Sequence, residues 1–300
     1  MIMRTAIIIT STILITVITA LFIRLTIASK NTANSIPATD NIAEYKAVTD
    51  KIRILQTWEM PAILKEISAI AYIDEHRFAC IQDEAGKIFI YNTRKKGIEK
   101  EIEFGDAGDY EGLAINANTA YVLRADGQII EVNNYMNSTN VTSEHKTSLT
   151  KKQNAEGLAF DKENNRLLIA IKGPEAVSDK YKGIYAFNLD NKKLIKEPVF
   201  KIDLENEVFD RIKSGKKKGS RMQPSEIAIH PENGNIYITE GAKPKLLIMN
   251  KSGKILSLAE LKDSKFSQPE GMAFTPDGRL FISNEGKDHS GNILEINVSQ

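Results

Sequence analysis

Glu111-Gly112-Leu113-Ala114-Ile115 returns as Glu156-Gly157-Leu158-Ala159-Phe160 and again as Glu270-Gly271-Met272-Ala273-Phe274. Looser copies stand at Glu66-Ile67-Ser68-Ala69-Ile70-Ala71 and Glu226-Ile227-Ala228-Ile229. The five glutamates are 45, 45, 70 and 44 residues apart. Self-similarity at roughly 40–50 residues, with several strands per unit, marks an all-β propeller. The count of repeats predicts five blades, with six as the alternative if the long third interval hides another. In such a radial array equivalent positions converge on one axis, so the repeat also predicts where chemistry gathers.

Working outward, each repeat shows the same order. The glutamate strand is short and apolar. A turn rich in Asp, Asn and Gly follows, as in Pro231-Glu232-Asn233-Gly234-Asn235 and Thr275-Pro276-Asp277-Gly278. Gly and Asn supply the positive φ that tight hairpins need. A second strand comes next (Arg166 to Ile171, Asn235 to Thr239, Arg279 to Ser283), then a third (Lys87 to Tyr91, Gly183 to Phe187, Asn292 to Ile296) and a more polar fourth. The last repeat lacks its fourth strand because the chain stops at Gln300, whereas a spare strand, Ile52 to Trp58, precedes the first repeat. The spare strand is expected to complete the last blade and so protect open edges. The long interval between Glu156 and Glu226 is assigned to an insertion at Asp203 to Met222, with a short helix near Glu205 to Ile212 and a basic run from Lys213 to Arg221.

Residues Thr5 to Ile23 carry no charge, the length of one membrane-spanning helix of about 20 residues. A cleavable signal peptide is the rival reading. The sequence therefore divides into an anchor or signal segment (1–28), a polar linker (29–50) and the propeller (51–300). The expectation is a single-pass cell-membrane protein with its propeller extracytoplasmic, in the periplasm. The formal charge of +1 gives no global field favouring nucleic acid, and no nucleic-acid partner is expected. Cys80, the one cysteine, lies in an apolar run and reads as a buried small side chain.

The chemistry rests on acids. Glu66, Glu111, Glu156, Glu226 and Glu270 are expected at one level near one rim. The ends of the second strands offer Asp83, Arg124, Lys172, Glu240 and Glu285 beside them. Carboxylates held close together repel and raise one another's pKa, so something must balance them. A hard cation is one candidate, since Ca²⁺ accepts 6–8 oxygen ligands in irregular cages; Glu111, Glu156, Glu226 and Glu270 are its expected ligands. Arg124 and Lys172 are another source of balance. The plain alternative is that each glutamate accepts backbone N–H bonds or pairs locally, and that the glycine after it merely permits a tight bend. His76, His145, His230 and His289 show no metal-ligand spacing, and no nucleophile elbow, P-loop or dinucleotide fingerprint is present.

The pieces Asp109-Tyr110-Glu111-Gly112-Leu113-Ala114, Asn154-Ala155-Glu156-Gly157-Leu158-Ala159-Phe160 and Gln223-Pro224-Ser225-Glu226-Ile227-Ala228 resemble the SdiA-regulated family, the YjiK-like bacterial proteins. The resemblance covers about Ile52 to Val298. It implies a β-propeller, membrane association and bound calcium, without a settled reaction. The wider set includes NHL-repeat scaffolds, gluconolactonase-like hydrolases and propeller phytases. Uniform glutamate at the inner positions departs from the mixed Glu, Asn and Asp set of the lactonases. The leading expectation is a membrane-anchored binding or scaffold protein whose polar channel holds a small molecule or protein ligand. The alternative is a calcium-dependent hydrolase of a phosphate ester or lactone. A third class is a protein-interaction platform built on the 203–222 insertion.

Overall fold

The computed structural model describes residues 52–299, apart from 138 and 213–220. The apolar segment at 5–23, the linker at 29–50 and most of the basic run lie outside the described residues. Among the described residues no helix is long and apolar enough to cross a membrane.

Five antiparallel sheets form the domain. Blade 1 holds β2 (Ile67–Asp74), β3 (Arg77–Gln82), β4 (Lys87–Asn92) and β5 (Gly97–Glu103). Blade 2 holds β6 (Tyr110–Asn116), β7 (Thr119–Arg124), β8 (Ile129–Asn133) and β9 (Val141–His145). Blade 3 holds β10 (Ala155–Asp161), β11 (Arg166–Ile171) and β12 (Tyr181–Asn188), with an interrupted outer strand, β13 (Lys193–Leu194) and β14 (Phe200–Asp203). Blade 4 holds β15 (Glu226–Ile229), β16 (Ile236–Glu240), β17 (Lys245–Met249) and β18 (Ile255–Glu260). Blade 5 holds β19 (Pro269–Phe274), β20 (Leu280–Asn284) and β21 (Asn292–Val298), completed by β1 (Ile52–Glu59).

The N-terminal strand thus closes the ring, as the count of strands predicts: β1 pairs with β21 from Ile52 opposite Val298 to Glu59 opposite Asn292. Trp58 rests on Phe281 of the same blade, ring centroids 6.0 Å apart. The inner strands touch in a closed cycle, β2 to β6 to β10 to β15 to β19 and back to β2. Each of the five seams between blades is filled by its own apolar cluster, such as Leu113, Val122, Ala79 and Ile88 between blades 1 and 2. The core is therefore divided into five radial wedges, and the sheet faces spend their apolar side chains on neighbouring blades. Among the described residues no sixth sheet forms. The insertion instead gives a single turn of 3₁₀ helix at Glu207–Asp210, whose Val208 and Phe209 are buried in the seam between blades 3 and 4.

The hairpin turns use the expected residues, with Asn165, Gly234 and Gly278 all in the left-handed region. Cys80 is fully buried and its thiol is pushed far up by burial alone.

Candidate functional site

The inner strands share one irregularity. In β2, β6, β10 and β19 the pairing with the next strand skips one residue near the start: Ser68, Glu111, Glu156 and Glu270. Such a bulge re-aims the extra side chain away from the two sheet faces. In blade 4 the corresponding residue is Ser225, which directly precedes β15. The register thus fixes the equivalent set as Ser68, Glu111, Glu156, Ser225 and Glu270. Two residues earlier stands a second set, Glu66, Asp109, Asn154, Gln223 and Gln268. The ends of the second strands add Asp83, Ala125, Lys172, Gly241 and Glu285. The axial mouth is a polar collar of stacked tiers.

Several expected positions move under this register. Glu66 belongs to the outer tier, exposed, two residues before the place its repeat suggests. Glu226 is displaced by one and occupies the site that is glycine in blades 2, 3 and 5. There the glycine is required by close approach: a Cβ on Gly157 would lie 2.7 Å from the Ile227 nitrogen and 2.9 Å from the Glu226 Cα. Arg124 and Glu240 lie one residue short of Lys172 and leave the collar. Arg124 pairs with Asp126 at 2.9 Å. Glu240 turns inside the protein to Lys245, Oε2 to Nζ 2.5 Å, both fully buried. The balance of charge expected from Arg124 therefore falls to Lys172.

Lys172 Nζ donates to both oxygens of Glu156 at 3.1 Å. The Lys172 loop is itself fixed from below, since Lys182 Nζ donates to the carbonyl oxygens of Lys172, at 2.6 Å, and Gly173. Asn154 donates to Glu156 from the outer tier, and Gln268 donates to Glu285. Glu226 Oε1 accepts from the backbone N–H groups of Leu158 and Ile227, both at 2.8 Å. The plain expectation of backbone N–H bonds or local pairing thus describes Glu226 by the first route and Glu156 by the second. The other oxygen of Glu226, together with Ser68 Oγ, Asp83 Oδ1 and Ser283 Oγ, is buried without a protein partner.

Electrostatics follow from this crowding. Burial, then the charges of Glu156 and Asp109, push Glu111 well above the usual carboxylate range. Burial raises Glu156 against the pull of Lys172. Burial pushes Glu270 up to about 7, also against Lys172. Glu226, fully enclosed, is raised well above 4.5 by burial, with Glu270 and Glu156 adding to the rise. Asp83 is raised by burial, then by Glu66, Glu84 and Glu285. Burial pulls the Lys172 ammonium down, but Glu156, Glu270 and Glu111 outweigh it and hold it above its ordinary value. Among the described residues no three His, Cys, Asp or Glu side chains gather into a ready metal cage.

The opposite mouth differs. There the axis opens into a recess of about 410 Å³ lined by Tyr72, Ile115, Phe160, Ile229 and Phe274. A larger recess, about 630 Å³, lies off the axis between the turns of blades 3 and 4, where Arg166 pairs with Asp161. The histidines serve elsewhere: His145 pairs with Glu131 at 2.8 Å and His230 packs on Phe274.

Sequence reasoning missed Ser68, Ser225, Asp109, Asn154, Gln223 and Gln268 as members of the collar. The signal that finds them is an alanine. Ala71, Ala114, Ala159, Ala228 and Ala273 are equivalent in all five blades, and each is buried in a seam.

No protein family matches the chain, and no curated protein sequence is similar to it. Solved structures do match. The glutaminyl cyclase of Myxococcus xanthus aligns with 83% of this chain and 97% of its own, at a TM-score of 0.54 and 14% identity. The likeness is one of fold. A streptogramin B lyase aligns over 84% of this chain and 100% of its own, TM-score 0.46 and 10% identity. A protein of unknown function from Bacteroides caccae covers 70% of this chain and 65% of its own, TM-score 0.41 and 14% identity.

Proposed function

We propose that the chain is a ligand-binding β-propeller whose axial collar accepts a cation. The observation that carries this reading is the imbalance at the mouth. Glu111, Glu156, Glu226 and Glu270 gather with the acids of the rim; Lys172 is the cation that acts on Glu111, Glu156 and Glu270, and Glu226 feels only Glu270, Glu156 and two backbone N–H groups. Buried acceptors without partners add to it. A buried charge or polar group left uncompensated is costly, so an incoming cation gains what the apo protein lacks. The all-oxygen donor set has the chemistry of a hard ion such as calcium, to which Glu111, Glu156, Glu226 and Glu270 would contribute. No carboxylate cage is preassembled for it among the described residues. The SdiA-regulated resemblance supports the same reading and adds a place: tethering to the cell membrane through residues 5–23, with the propeller on the periplasmic side and a small molecule or protein as ligand.

Thermal unfolding of the full chain with calcium and with chelator tests the cation. Binding to the folded state at a hundredfold excess over Kd adds about 2.7 kcal/mol. Calcium is expected to raise Tm, and Glu156→Gln to erase the rise. An unchanged Tm in calcium removes that ion from the proposal.

One observation favours a second reading, a hydrolase. Glu270, held near neutrality, has the basicity a general base needs at physiological pH. Turnover of a lactone or phosphate ester that is lost in Glu270→Gln, while that variant stays folded, would establish it.

A further inference from the structure

We infer that the cation taken by the collar is an aliphatic di- or polyamine. The inference rests on the cation-binding reading above and narrows its ligand. Three features of the mouth point the same way. First, the acids are numerous but dispersed. Glu66, Asp83, Asp109, Glu111, Glu270 and Glu285 come from blades 1, 2 and 5, whereas Lys172 enters from blade 3. A single metal ion needs its ligands on one small sphere, and no three acids gather that way among the described residues. Ammonium groups spaced along a hydrocarbon chain meet dispersed carboxylates one at a time.

Second, the unpartnered acceptors are of a kind that an ammonium satisfies. Glu226, 1% exposed, keeps one carboxylate oxygen without a donor beside Glu156 and Glu270. Ser68, 6% exposed, occupies the inner tier with its hydroxyl oxygen likewise unpaired. An –NH₃⁺ group carries three donors and no acceptor, which complements such a surface. Third, the collar already contains one such pairing. Lys172 places an alkylammonium on Glu156 with both oxygens at 3.1 Å. A polyamine would repeat the same contact around the rest of the mouth, where among the described residues no lysine forms an ion pair with Glu66, Glu111, Glu270 or Glu285.

Titration calorimetry and thermal unfolding of the full chain, at matched ionic strength, decide the matter with spermidine, putrescine, methylammonium and calcium as probes. Spermidine is expected to bind most tightly, putrescine less and methylammonium least. Glu66→Gln and Glu285→Gln, both at the rim, should each weaken spermidine by up to about fivefold, the scale of a partly exposed ion pair. Asp277→Asn, at the far end of blade 5, should leave affinity unchanged. Stabilisation by calcium without any by spermidine would overturn the polyamine and leave the cation-binding collar standing. No response to any probe would overturn both. Spermidine binding that is indifferent to both rim variants would place the site elsewhere and overturn the inference.

Discussion

One buried glutamate, Glu240, and the glutamates of the collar are enclosed alike and behave oppositely. Glu240 meets Lys245 at 2.5 Å and also accepts from the Gln223 backbone N–H at 3.0 Å. Burial pushes that carboxyl up and that ammonium down, and each partner's charge opposes the push. The collar glutamates are nearly as well enclosed, yet Lys172 alone serves several of them. The first arrangement matches one carboxyl group with one ammonium inside the protein, with Glu240 Oε1 left buried and unpartnered, and points to structure. The second is incomplete and points to something that arrives. Neither burial nor an unpartnered oxygen separates the two, since Glu240 Oε1 and Glu226 Oε2 both lack a donor; the ratio of ammonium groups to carboxyl groups does.

The largest expected effect lies in the matched pair. Lys245→Met removes one partner and strands Glu240, and breaking a buried pair from one side costs about 3–5 kcal/mol. For a domain of this size, each kcal/mol moves Tm by about 2–4 °C, so a fall of roughly 6–20 °C is expected. Adding Glu240→Leu to that variant should recover most of the loss. A double variant no more stable than the single one would show that the pair holds the blade by some means other than charge compensation.

The collar should respond to pH in a direction set by its raised carboxyl groups. Glu270 has a folded value of about 7 against an ordinary 4.5. Between those values the folded protein holds a proton that the unfolded chain has released, so stability falls as pH rises through that window. With chelator present and no amine, Tm should be higher at pH 5 than at pH 8, with Glu270 by itself contributing the equivalent of about 3 kcal/mol at most. Glu270→Gln should flatten this slope, and at pH 8 it should stabilise the protein because it removes repulsion. A lower Tm at pH 8 in Glu270→Gln would mean that the carboxylate is already compensated.

The contrast also shows what the sequence makes legible. The fold is readable because it rests on apolar runs, turn residues and a period, all local features. The closure by β1 follows from counting strands. The collar is only half readable. Glutamate is conspicuous, and aligning the repeats on it places Glu66 and Glu226 in register with Glu156. Packing sets the register instead. Ala71 and Ala228 enter their seams as Ala159 does, which moves Ser68 and Ser225 into the inner tier. The same one-residue shift separates Arg124 and Glu240 from Lys172. In a strand, successive side chains point to opposite faces, so an error of one position exchanges a ligand for a core residue.

The smallest effect sharpens the comparison most. Arg124 stands close to the collar in sequence but pairs with Asp126, and both side chains are about one-third exposed. A partly exposed pair of this kind contributes about 0–1 kcal/mol. Arg124→Ala should therefore shift Tm by no more than a few degrees and leave the pH dependence of stability untouched. Lys172→Met, by contrast, should steepen that dependence, because Glu156, Glu270 and Glu111 lose the ammonium that restrains them. Equal slopes in the two variants would show that Lys172 is not the cation on which the collar depends, and the asymmetry between Glu240 and the collar glutamates would lose its cause.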